Sequence, residues 1–131
     1  MSLLVDTHYA LWFATGSDKL PVQARELIEQ AGEGAYVSAA SVWEIAIKHA
    51  TGRGGANAMP IDGATALDAF LRAGFTILSI SAEHAAAVDG LPPLHGDPFD
   101  RLLVAQAKSE PMRLLTRDAR LAGYGELVTV V

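Results

Sequence analysis

Four acidic side chains, Asp6, Glu44, Asp100 and Asp118, are the residues of this chain whose types and placement could do chemistry together. Carboxylates packed side by side repel, which raises the pKa of some of them and costs stability unless a cation compensates. Mg²⁺ is the natural choice for such a set, being a hard ion that prefers oxygen, keeps several waters and is often held by few carboxylates. One or two such ions would activate a water as nucleophile and offset the charge of a scissile phosphate during in-line attack.

That chemistry requires elements that bring the four acids to one place. Ser2-Leu3-Leu4-Val5 is a short apolar run of strand type ending at Asp6, and Tyr9, Leu11, Trp12 and Phe13 continue at helical density. Pro21 opens a second helical pattern that the glycines at 32 and 34 stop, and Ala35-Tyr36-Val37-Ser38 reads as the second strand. Ser41 to Lys48 has helical spacing, with Ser41 and Glu44 placed as a capping box and Glu44 and Lys48 as a favourable i,i+4 pair. The glycine-rich stretch from Thr51 to Met59 follows a helix, not a strand, so it is expected to be a loop and not a phosphate cradle. A fourth helix over Asp62 to Ala73, a strand over Phe75 to Ser79 and a short helix ending at Val88 come next.

Asp97-Pro98 reads as an N-cap followed by proline at the first helical position, opening a helix to about Lys108 that carries Asp100 in its first turn. Met112 to Leu115 is the fourth strand, Arg117 to Ala122 a short helix, and Leu127 to Val130 the fifth strand. Strands alternating with helices at these lengths imply βαβ units, hence an α/β fold with a mostly parallel sheet and helices on both faces. In such folds ligands bind beyond the carboxyl ends of the strands. Asp6 and Asp118 each follow a strand at that edge, and Glu44 and Asp100 lie in early turns of helices that start near it.

Each acid also has a purely structural reading. Asp6 and Asp97 could be N-caps, Glu44 a capping-box partner, Asp100 a favourable charge at a helix dipole, and Asp118 an ordinary first-turn acid. Only their joint placement raises the metal reading above these. His8, His49, His84 and His95 share no metal-ligand spacing and read as surface or polar-contact residues. Trp12, Trp43 and Phe99 fall on apolar faces, where core packing outweighs base stacking. Lys48, Arg53, Arg101 and Arg117 are candidates for phosphate contact by position alone, with a solvated surface as the alternative.

Composition narrows the field. The 131 residues, half of them hydrophobic, suit one compact domain spanning 1–131. No apolar run approaches the roughly 20 residues needed to span a bilayer, and the N-terminus lacks the pattern of a signal peptide, so no membrane association and a cytoplasmic location are expected. The absence of cysteine excludes disulfides, thiol nucleophiles and thiolate metal sites, leaving oxygen or imidazole ligands from fifteen Asp and Glu and four His. A formal net charge of −5 argues against binding nucleic acid mainly through phosphate neutralisation. It leaves catalysis on RNA open, because bound cations can carry the local positive charge.

Four blocks carry a wider resemblance: Leu4-Val5-Asp6-Thr7-His8, Ser38 to Lys48, His95-Gly96-Asp97-Pro98-Phe99-Asp100-Arg101 continuing to Ala107, and Leu115-Thr116-Arg117-Asp118. In that order they resemble the PIN-domain toxins of VapBC-type toxin–antitoxin systems over nearly the whole chain. The resemblance implies a three-layer α/β/α domain, a homodimer, that cleaves RNA with Mg²⁺ or Mn²⁺ and is silenced by a cognate antitoxin. It also implies that Asp6, Glu44, Asp100 and Asp118 are the catalytic and metal-binding set. Asp97 then takes a supporting role, and Thr116 stands where a hydroxyl could hold a water or a carboxylate. An antitoxin lays a helix or tail across such a domain, and an inserted Arg or Lys would be drawn to the acidic pocket. Two departures concern substrate and partner: the glycine-rich segment 51–59, and Gly96 where Arg is common.

Two rival readings remain. An Asp-dependent phosphohydrolase would use Asp6 as nucleophile, but its expected Asp-x-Asp is missing, since His8 stands at the second position on. A catalytically silent PIN-like module binding RNA or protein would have lost at least one of the four acids, and all four are present.

Overall fold

Leu3, Leu4 and Val5 are all buried, as a strand covered on both faces must be, and they form β1 (Leu3–Val5) at the centre of the sheet. The computed structural model describes residues 2–51 and 59–131. The interior of the glycine-rich segment, including Arg53, lies outside the described residues.

From β1 the chain passes through α1 (Thr7–Thr15) and α2 (Val22–Ala31) into β2 (Ala35–Ser38), which runs without a loop into α3 (Ala39–Ala50). Next come α4 (Gly63–Arg72), β3 (Thr76–Leu78) and α5 (Ala82–Ala87). Then follow α6 (Pro98–Ser109), β4 (Arg113–Thr116), a 3₁₀ helix (Ala119–Tyr124) and β5 (Val128–Val130). The five strands are all parallel and ordered β3-β2-β1-β4-β5, with Leu3 opposite Ala35 on one side and Arg113 on the other. Strand alternation divides the apolar side chains between two cores. Leu3, Val5, Val37 and Leu115 pack with α1, α2 and α4, while Leu4 and Leu114 pack with α6 and the 3₁₀ helix. The result is the α/β/α sandwich expected from the alternating elements. Each fully buried leucine of the central strands contributes about 1.5–3 kcal/mol by leaving water. No described helix is long and apolar enough to cross a membrane.

Helix α3 differs from the expectation at its start. Ser38, not Ser41, is the cap: its backbone is extended and its hydroxyl accepts the Ala40 N–H at 2.9 Å. The direct passage from β2 into the helix puts Ser41 inside it, so the Ser41–Glu44 capping box does not form. Glu44 therefore sits in the second turn, where it does make the expected pair with Lys48 at 2.6 Å. Gly63 lets α4 lie against this helix, since a Cβ there would come within 3.0 Å of the Ala46 methyl. Trp43 also departs from its expected core role. It is 56% exposed and meets Phe99 edge-on, with ring centroids 5.0 Å apart.

Behind the sheet edge, a buried polar chain fixes α3 to α6. The Ser38 hydroxyl donates to Gln106 Oε1 at 2.5 Å, and the Gln106 amide reaches His84 Nδ1 at 3.3 Å. His84 Nε2 in turn donates to Glu110 at 2.5 Å. Ser38→Ala removes a helix cap and leaves Gln106 with an unmatched buried acceptor. It should lower stability by about 1–3 kcal/mol in urea unfolding; an unchanged midpoint would show that this chain does not anchor α3.

Candidate functional site

The strand order reverses at β1, whose neighbours β2 and β4 belong to the two halves of the chain, and the cleft opens beyond the carboxyl ends of these strands. Asp6 is the first residue past β1, held to β4 by its N–H donating to Leu115 O at 3.0 Å. Its Oδ1 accepts the Tyr9 N–H at 2.9 Å and so caps α1. Its Oδ2 accepts from the Thr116 hydroxyl at 2.7 Å and the Arg117 N–H at 3.2 Å. One carboxylate thus serves as helix cap and faces the cleft, so these two readings of Asp6 are compatible. Burial pushes its pKa up, and the three donors pull it back.

Glu44 reaches the same cleft from α3. Its Oε1 accepts from the Thr7 hydroxyl at 2.6 Å and its Oε2 pairs with Lys48, so a residue buried to 4% exposure has both oxygens matched. Asp100 is the third residue of α6, where Asp97 caps the helix by accepting the Phe99 and Asp100 N–H groups at 2.8 and 3.2 Å. Asp118 is the N-cap of the 3₁₀ helix, accepting the Arg120 N–H at 3.0 Å, and not the first-turn acid of a helix from Arg117. All four acids line one cavity of about 140 Å³, with Asp97, Thr116, Lys48 and Arg117 at its walls. Of the other candidate cations, Arg101 turns away to bond Val88 O, Pro92 O and the Tyr124 hydroxyl.

Three participants were not foreseen from the sequence. Thr7 holds Glu44, as above. Arg120 grips Asp118 bidentately at 3.0 and 2.9 Å. His95 Nε2 lies 2.9 Å from Asp118 Oδ2 and 3.2 Å from Asp100 Oδ2, between two of the predicted acids. A signal for His95 exists in its position two residues before the Asp97 cap, where a tight turn can present a backbone N–H to an imidazole nitrogen. Among the remaining histidines, His49 bonds Met59 O and His84 belongs to the chain behind the sheet. His8 lines the cleft with its Nε2 buried and unpartnered, its ring edge-on to Trp12 and its pKa lowered chiefly by burial.

The electrostatics of the cleft are uneven. Arg120 hydrogen bonds hold Asp118 well below the ordinary carboxylate range. Asp100 is pushed up to about 7, first by burial, then by the charges of Asp97 and Glu44, with His95 opposing. Five acids face the three Lys and Arg side chains Lys48, Arg117 and Arg120 in the cavity, a deficit of positive charge that a divalent cation would fill. Donor chemistry fits such an ion: the hard carboxylates of Asp6, Glu44, Asp97, Asp100 and Asp118 line the cavity, and oxygens of Asp100 and Asp118 lie within 4.8 Å of each other.

Because the folded pKa of Asp100 lies above the unfolded 3.8, its contribution to stability is complete below pH 3.8 and lost as pH rises through about 7. In EDTA, Asp100→Asn should therefore gain stability relative to the parent between pH 4 and pH 8, by on the order of 2 kcal/mol. Thermal melts across that range check this, and a difference that stays flat with pH would contradict it.

Comparison with known proteins identifies the family and the fold. The sequence model of the PIN domain matches residues 3–127. Ribonuclease VapC22 of Mycobacterium tuberculosis is 31% identical over 123 residues, covering 94% of this chain and 92% of that protein. Among solved structures, VapBC2 from Rickettsia felis bound to a DNA fragment from its promoter superposes with a TM-score of 0.69 at 16% identity, covering 100% of this chain and 98% of that one. A toxin–antitoxin complex from Klebsiella pneumoniae gives 0.65 at 20% identity, covering 98% and 97%. FitAB bound to an IR36 DNA fragment gives 0.61 at 18%, covering 98% and 93%. With its sequence matched almost end to end and the same fold around the cleft, the chain belongs to the PIN domain family, among its VapC-type members.

Proposed function

We propose that the protein is a Mg²⁺- or Mn²⁺-dependent endoribonuclease, the toxin of a type II toxin–antitoxin pair, acting as a single nuclease domain. The observation that carries this reading is the shared cavity of Asp6, Glu44, Asp100 and Asp118 at the switch point of a parallel sheet. These four would hold the cation. When bound, it supplies Lewis acidity, lowering the pKa of a water and offsetting charge on the scissile phosphate.

The protein's own groups do the rest. Thr116 and the Arg117 N–H fix the Asp6 carboxylate, Thr7 fixes Glu44, and the Asp97 cap sets the pitch at which α6 presents Asp100. Lys48 and Arg117 stand at the cavity wall, placed to attract and orient an RNA phosphate. The hydrogen bonding of Asp6 speaks against the phosphohydrolase alternative, since a carboxylate at 7% exposure with three donors on its two oxygens is a poor nucleophile. Ribonuclease chemistry is supported by the name of the Mycobacterium tuberculosis relative, and a cognate antitoxin by the complexes among the structural neighbours. A homodimer in the cytoplasm completes the proposal; Trp43 and Ile47, both exposed on α3, are apolar surface that a second copy would cover.

The test is cleavage of a mixed RNA pool with Mg²⁺, Mn²⁺ or EDTA, with Asp6→Asn and Asp100→Asn in parallel. Cutting should require the cation and fall at least about 100-fold in each variant while both remain folded. Equal cutting by parent and variants would refute the assignment.

A further inference from the structure

The His95 side chain, 6% exposed, lies between two of the acids yet has no part in the roles assigned above, and its two ring nitrogens do different things. Nδ1 accepts the Asp97 backbone N–H at 3.1 Å, so it carries the lone pair. The ring proton is then on Nε2, which faces Asp118 Oδ2 at 2.9 Å and Asp100 Oδ2 at 3.2 Å. Asp118, gripped by the Arg120 guanidinium, is an ionised carboxylate that only accepts, so a proton pointing at it is matched, whereas a lone pair there would face an anion.

This has a consequence for any cation in the cleft. Ligation through Nε2 would require that proton to leave while Nδ1 still accepts from the backbone, which is the charge state of an imidazolate. Turning the ring to avoid this would break the Asp97 bond. Asp97 also caps α6, so one short turn sets both the helix that carries Asp100 and the histidine that touches it. The same geometry recurs at His84, where Nδ1 accepts the Ser81 N–H and Nε2 donates to Glu110, far from the cleft.

We infer that His95 is a positioning residue and not a metal ligand: its Nε2–H, aimed by the Asp97 N–H, bridges Asp100 and Asp118 and holds them at the spacing the cation needs. The inference rests on the metal-site reading above and adds to it which group ligates and which only orients.

Mn²⁺ serves as the probe. Pulsed EPR of the Mn²⁺-loaded parent should show no directly bonded nitrogen that disappears in His95→Gln. In EDTA, ring ¹⁵N shifts should report a proton on His95 Nε2. By titration, His95→Gln, which keeps an N–H donor of similar reach, should bind Mn²⁺ within about 3-fold of the parent, and His95→Phe should lose about 10–100-fold. A bonded nitrogen in the parent that vanishes in His95→Gln overturns the inference while leaving the metal site standing. So does His95→Phe binding as tightly as the parent. Failure of the parent itself to bind Mn²⁺ overturns the metal site and this inference together. The EPR and ¹⁵N readings on the parent decide the matter even if His95→Phe does not fold.

Discussion

Mutual repulsion among carboxylates confined to one cleft is the constraint on which the rest of this structure depends. Five acids line a cavity of about 140 Å³, and each would be destabilising there without donors. The fold supplies those donors individually. Asp6 receives two backbone N–H groups and a hydroxyl, Glu44 a hydroxyl and an ammonium, and Asp118 a guanidinium and an imidazole. Asp100 is the member least provided for, and its raised pKa is the consequence. The electrostatic tension is thereby concentrated at one position, where a cation has the most to offset.

The scaffold that holds this arrangement is built from short, stiff pieces. Three- and four-residue strands with no solvent-facing side at the centre leave little freedom in where their ends fall. Four of the site acids or their neighbours are helix caps or first-turn residues, so the bonds that begin a helix also orient a carboxylate. Asp6 and Asp118 show the economy of this: capping and cleft-lining use the same carboxylate. A substitution at either position therefore acts on local helix stability and on site geometry together, whereas Asp100, which caps nothing, separates the two effects.

The surface outside the cleft carries fewer constraints. Trp43 stands largely in solvent beside Phe99, one residue from Glu44 on one helix and one from Asp100 on the other. Whatever covers this aromatic pair is bound to feel, and to affect, the two helices that carry half of the acidic set.

The alternation of strands and helices, the parallel sheet, the Asp97-Pro98 start of α6 and the Glu44–Lys48 pair were legible in the sequence because each rests on interactions within a few residues. The gathering of the four acids at one edge was legible too, through the rule that parallel strands end together. What only the tertiary structure decided are contacts across long stretches of chain: Thr7 on Glu44, 37 positions away, His95 on Asp118, 23 away, and which carboxylate the Thr116 hydroxyl holds, that of Asp6, 110 away. Spacing along the chain carries no information about such distances, which is why His95 read as an isolated polar residue. The start of α3 at Ser38 and the exposure of Trp43 escaped for a related reason. Both depend on how a helix is rotated against the sheet, and periodicity gives a helix its apolar face without saying how much of that face its neighbours will cover.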